Sequence, residues 1–151
     1  MQKISTCLWF DSEAEEAAGF YTSLFAGSSI GQTMPGPDGK AITVEFQIEG
    51  REFTALNGGP AFNFTEGVSL VVNCATQEEV DKYWDALVAG GEESQCGWLK
   101  DKYGLSWQIV PTALPGLLTG PDAAGAQRAM EAMLQMQKLD INVLQKAYDG
   151  D

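Results

Sequence analysis

With 151 residues, 44% hydrophobic and 20% charged, the chain is long enough for one domain with a core of its own. Its net charge of −12 speaks against nucleic acid, whose phosphates need a basic face, and leans weakly towards a cationic ligand if the ligand is charged. The absence of histidine excludes Ser-His and Cys-His nucleophiles and any metal site containing an imidazole.

In chain order, Ile4 to Phe10 is a short apolar β run, and Asp11 or Ser12 is placed to cap a following helix. Glu13, Glu15 and Glu16 suit the positive end of that helix, and Ala14, Ala17, Ala18, Tyr21, Leu24 and Phe25 give it an apolar face, closed at Gly27. Gly31 to Lys40, rich in Gly and Pro, is expected as a loop. Strands are expected at Ile42 to Ile48 and Glu52 to Leu56, joined at Glu49-Gly50.

The pattern then repeats. A shift of 63 lays Thr6-Cys7-Leu8-Trp9-Phe10 on Ser69-Leu70-Val71-Val72-Asn73, Glu15-Glu16 on Glu78-Glu79, and Phe20-Tyr21 on Tyr83-Trp84. A shift of 54 lays Gly50 on Gly104 and Phe53 on Trp107. Cys96 to Pro111 is expected as strand, Asp-Lys-Tyr-Gly turn and strand, with Lys100 and Asp101 in solvent beside the turn. Within the second strand Ser106 and Gln108 alternate with Leu105, Trp107 and Ile109, so two polar groups leave an apolar strand on one side. Two βαβββ modules follow, about 1–60 and 61–112, in one α+β domain. Leu114 to Gly125 is expected as a linker and Ala126 to Tyr148 as helix, divided at Asp140.

No apolar run approaches the ~20 residues that cross a bilayer, and the N-terminus lacks a signal-type apolar region. Cys7, Cys74 and Cys96 lack CxxC spacing and suit reduced thiols, so the expected compartment is the cytoplasm.

The chain resembles PhnB-like proteins, the 3-demethylubiquinone-9 3-methyltransferase-like branch of the glyoxalase/bleomycin resistance/dioxygenase, or vicinal-oxygen-chelate, superfamily. Cys7-Leu8-Trp9-Phe10-Asp11, Ala55-Leu56-Asn57-Gly58-Gly59-Pro60, Cys96 to Pro111 and Ala132-Met133-Leu134-Gln135-Met136 carry the resemblance. It implies paired modules forming an incompletely closed eight-stranded cup, a C-terminal helical extension, and a homodimer. It also implies that metal ligands, where present, come from the first and last strand of each module.

The repeat places those positions at Thr6 and Ser69, and at Thr54 and Gln108. None is anionic or an imidazole, so no metal or other cofactor is expected. The reading that follows is a cup in which Thr6, Thr54, Ser69 and Gln108 hold a small organic molecule, or else bond one another and buried water. Trp98, Trp107 and Tyr103 either wall the cup or pack in the core, and Asn57 either forms a turn or lines the mouth. Glu45 is the one carboxylate placed as a base, against the alternative of an outward-facing position. No catalytic group is identified. A metal-dependent glyoxalase or dioxygenase and a non-catalytic dimeric scaffold are the alternatives. A methyltransferase is not supported, because neither Gly58-Gly59 nor Gly90-Gly91 stands in a strand-to-helix nucleotide turn.

Overall fold

The computed structural model describes residues 1–151. It divides into two compact units, Met1–Phe64 and Thr65–Asp151. Each unit carries one βαβββ module.

In the first unit, β1 (Thr6–Phe10), α1 (Ala14–Leu24), β2 (Ser29–Pro35), β3 (Ala41–Ile48) and β4 (Arg51–Asn57) follow in order. The sheet order is β1-β4-β3-β2, with β1 parallel to β4 and the other pairs antiparallel. β3 and β4 meet at Glu49-Gly50, both at positive φ (49° and 88°), the geometry a two-residue hairpin needs to match strand twist. One face of the sheet is apolar. Leu8, Phe10, Val44, Phe46, Ile48, Phe53 and Ala55 are buried there, as are Ala14, Ala17, Ala18 and Tyr21 of α1. Phe46 and Phe53 stack at 5.1 Å, and Tyr21 stands 6.3 Å from Phe46.

Two expectations change here. Gly31 to Pro35 is strand, not loop: β2 is an edge strand paired with β3 through a bulge, and all seven of its residues are exposed. Such a strand is held by backbone hydrogen bonds and has no buried face to leave an alternating pattern. Asp11 and Ser12 do not cap α1; the amide of Ala14 donates to Asn57 Oδ1 at 2.9 Å, so the cap comes from the end of β4.

The second unit repeats the plan with β5 (Ser69–Cys74), α2 (Gln77–Val88), β6 (Glu92–Glu93), β7 (Trp98–Lys100) and β8 (Ser106–Pro111) in the order β5-β8-β7-β6. Thr76 caps α2, its hydroxyl accepting from the Glu79 amide at 3.2 Å. Val80, Trp84 and Leu87 of α2 are buried, as are Leu99, Leu105, Trp107 and Ile109. At Gly91 a Cβ would lie 2.0 Å from the Lys100 carbonyl oxygen, so β7 closes on the chain only because that residue is glycine.

The β7–β8 turn forms as expected, with the Gly104 amide donating to the Asp101 carbonyl at 2.9 Å and Gly104 at φ 86°. Asp101, however, is buried, not solvated. Its carboxylate accepts from the amides of Tyr103 (2.9 Å) and Leu105 (3.1 Å) and from Trp107 Nε1 (2.9 Å). Cys96 and Gly97 are not strand either; both are at positive φ and turn the chain into β7.

The same unit carries α3 (Leu114–Leu118), α4 (Ala123–Leu134) and α5 (Ile141–Asp149). The segment expected as linker therefore begins with a helical turn. Asp140 does divide the rest, capping α5 through the Val143 amide at 3.1 Å. Leu114, Leu117, Ala129, Leu139 and Leu144 form a core cluster of their own. Arg128 closes it, donating to the carbonyls of Ala147 (2.8 Å) and Tyr148 (2.7 Å). No helix is long and apolar enough to cross a membrane.

Candidate functional site

In each module the sheet face away from its helix is the polar one. In the first, strand register sets Cys7 beside Thr54 and Thr54 beside Glu45, so these three side chains leave the same face. Glu52 and Gln47 are the next pair along it. Ser5, Glu45, Gln47, Glu52 and Thr54 line a cavity of about 440 Å³ in this unit. That volume falls in the range of roughly 300–1,000 Å³ typical of small-molecule sites.

Thr6 does not join Thr54. Its register partner is Phe53, which places it on the helix-facing side with Leu8 and Phe10, at the exposed start of β1. The connection from first strand to helix explains the slip. It spans residues 11–13 in the first module and 75–76 in the second, so the shift of 63 holds for the helices and becomes 64 for the strands. Cys7, not Thr6, corresponds to the strand position beside Gln108, which in the second module is Val71.

Asn57 is committed elsewhere. Besides capping α1, its amide nitrogen donates to the Ala41 carbonyl at 2.9 Å, so both ends of the side chain hold backbone.

In the second module Ser69, Ser106, Gln108, Trp98 and Lys100 share the open face. Gln108 Nε2 donates to Ser69 Oγ at 3.0 Å, so these two site candidates meet. Trp98 is half-buried opposite Gln108, whereas Trp107 is buried on the helix face, its indole tied to Asp101. Lys100 is ion-paired to Glu66 from the loop before β5. The hydrogen bond from Lys100 is the main reason the Glu66 carboxyl is held below the usual carboxylate range, and the same bond raises the Lys100 ammonium. Ser106, which the sequence pattern marks only as polar, has a buried hydroxyl with no hydrogen-bond partner.

These donors suit hydrogen bonding better than metal chelation. The register positions supply a thiol, a hydroxyl, an alkyl group and an amide, and burial raises the Cys7 thiol above its ordinary value, away from the thiolate a metal needs. No group of three or more Cys, Asp or Glu side chains is gathered for a cation. The residues present do not fit a divalent metal.

Neither glycine pair forms a nucleotide turn. Gly58 lies beneath the Trp9 indole, where a Cβ would meet the ring at 2.3 Å, and Trp9 Nε1 donates to the Gly59 carbonyl at 2.9 Å. Gly90 and Gly91 follow a helix.

The family model for 3-demethylubiquinone-9 3-methyltransferase matches residues 2–110. A PhnB protein from Bacillus cereus, provisionally described as a 3-demethylubiquinone-9 3-methyltransferase, is 36% identical over 74% of this chain and 100% of its own, with a TM-score of 0.69. A Pseudomonas aeruginosa protein (18% identity over 74% and 98% of the two chains, TM-score 0.61) shares the fold. So does a fosfomycin resistance protein from Listeria monocytogenes, solved with manganese(II) and sulfate (16% identity over 74% and 91%, TM-score 0.52). No curated protein matches the chain. The match over residues 2–110 and the identity to the B. cereus protein make this chain a member of the PhnB-like, 3-demethylubiquinone-9 3-methyltransferase family.

Proposed function

We propose that this cytoplasmic protein binds a small organic molecule, without a metal, on the polar open faces of its modules, and that it works as a homodimer. The observation that carries the reading is the make-up of those faces. Hydrogen-bonding groups are gathered on them: Gln108 bonded to Ser69 in one module, and in the other Thr54 and Gln47 over a cavity of about 440 Å³ that Glu45 and Glu52 also line. The hydroxyl and amide groups orient an organic ligand but offset little of a cation's lost hydration, and the carboxylates beside them are not joined by a third anionic ligand. The manganese of the Listeria protein belongs to that protein, whose likeness to this chain is one of fold.

Dimerisation is supported by the sheet edges. β1 and β5 are each paired on one side only, and Val71, in β5, is exposed. The Ser69–Gln108 bond also favours a second reading, a scaffold whose polar groups satisfy each other.

A thermal-shift screen of chelator-treated protein against cationic, neutral and anionic small molecules separates the two. Stabilisation by one compound, lost in Thr54→Leu/Gln108→Leu, supports binding; no compound acting on wild type supports the scaffold.

A further inference from the structure

Ser106 is 1% exposed and its hydroxyl has no partner, an arrangement that disfavours the folded state unless something supplies the missing hydrogen bond. Its register neighbours on the open face are Ser69 on one side and Lys100 on the other. Ser69 Oγ already accepts from Gln108 Nε2, so its own proton remains to be donated. Lys100 is neutralised by Glu66, which reaches it from the loop preceding β5, and Glu92 is its register neighbour on β6. The Glu66 carboxylate is therefore an oxyanion already lying against a lysine beside two serines.

We propose that Lys100, Ser106 and Ser69 form a subsite for the carboxylate or phosphoryl group of a small organic molecule, closed here by Glu66 in the ligand's place. The proposal rests on the reading of the second module's open face as a ligand surface and names the chemistry it selects. A surface ion pair in water is weak, and Glu66 is more than half exposed, so a ligand oxyanion displaces it readily. The incoming group takes over the charge-assisted bond to Lys100 and gains hydroxyl donors that Glu66 leaves unused. Glu92 stays beside Lys100 and limits the subsite to one anionic group.

The test is an amide-resolved NMR titration of the full chain with inorganic phosphate and, separately, with acetate, at constant ionic strength set by chloride. Shifts centred on Ser69, Lys100 and Ser106 are expected. Glu66→Gln removes the competitor and should tighten binding roughly fivefold. Lys100→Met should abolish it. Ser106→Ala should weaken anion binding while raising the Tm of the free protein, because an unpartnered buried hydroxyl is removed.

Binding by phosphate alone assigns a phosphoryl ligand, and binding by acetate as well assigns a carboxylate-compatible one. Unchanged binding in Lys100→Met, no tightening in Glu66→Gln, or no anion binding to Glu66→Gln at all would overturn the subsite. Because the probes are simple anions, that failure is distinct from failure of the organic-ligand reading, which the compound screen decides.

Discussion

Asp101 shows how one side chain builds the support of the open face. Its two oxygens tie the Tyr103 and Leu105 amides and the Trp107 indole, which fixes the hairpin from which Lys100, Ser106 and Gln108 project. Removing it leaves several buried donors without an acceptor. Asp101→Ala is expected to cost about 2–4 kcal/mol in urea unfolding, with Asp101→Asn costing less because one acceptor oxygen remains. An Asp in an Asp-x-x-Gly turn suggests solvent from pattern alone. The reach to an indole six residues on depends on side-chain direction, which local spacing does not encode.

The thiols test the register at single positions. Cys7 is exposed on the open face, where partial desolvation still raises its thiol, whereas Cys74 is fully buried, with desolvation pushing its thiol up to about 11 and Glu79 adding to the rise. Since only the thiolate reacts, Cys74 stays inert in the folded protein near neutral pH. A disulfide reagent at mildly alkaline pH should label Cys7 in the native state, a phase absent in Cys7→Ser, and reach Cys74 only after denaturation. Native labelling of Cys74 in place of Cys7 would overturn the assigned faces of β1 and β5.

At the scale of elements, the C-terminal helices hang on a turn that the pattern does not mark. Cys96 and Gly97, both in the left-handed region, point successive amides at the carbonyls of Met136 and Gln137, each at 2.8 Å. From the other side Gln77 holds the Leu139 carbonyl (3.0 Å) and the Ile141 amide (2.8 Å), and Lys138 pairs with Asp81 at 3.1 Å. A side chain at Gly97 would suffer its φ of 86° and place a Cβ 2.9 Å from the Ile109 carbonyl oxygen. Gly97→Ala is expected to cost about 2–3 kcal/mol and to speed amide exchange in α5 more than in α2. Uniform acceleration throughout the unit would argue against a separately docked extension.

The helices were legible because their apolar faces repeat: Ala17 and Val80, and Tyr21 and Trp84, are buried equivalents. β2 was not, because an edge strand exposed at every residue has only backbone pairing to define it. Period two explains the Thr6 error as well. A one-residue difference in a connecting loop moves a strand's whole polar set to the other face, so Thr6 matched Ser69 by chemistry while standing on the opposite side. The last-strand match of Thr54 with Gln108 survived because both hairpins keep the same spacing from turn glycine to site residue.

For the whole molecule, the acidic surface acts on assembly. With 21 acidic against 9 basic residues, two copies repel, and added salt screens that repulsion within a Debye length of about 8 Å at physiological ionic strength. Light scattering should give twice the 16.3 kDa chain mass, with the dimer fraction rising from low to moderate salt; a monomer at all concentrations and salts would contradict the homodimer.

The central claim is that the open faces take an organic molecule with no metal. The most direct measurement is calorimetric titration of the best compound from a screen run both on chelator-treated protein and on protein supplied with manganese or zinc, titrated into the protein in each of the two states. Unchanged affinity with and without metal, lost in Gln108→Leu, is the predicted result. Binding seen only in the protein supplied with metal would contradict the account.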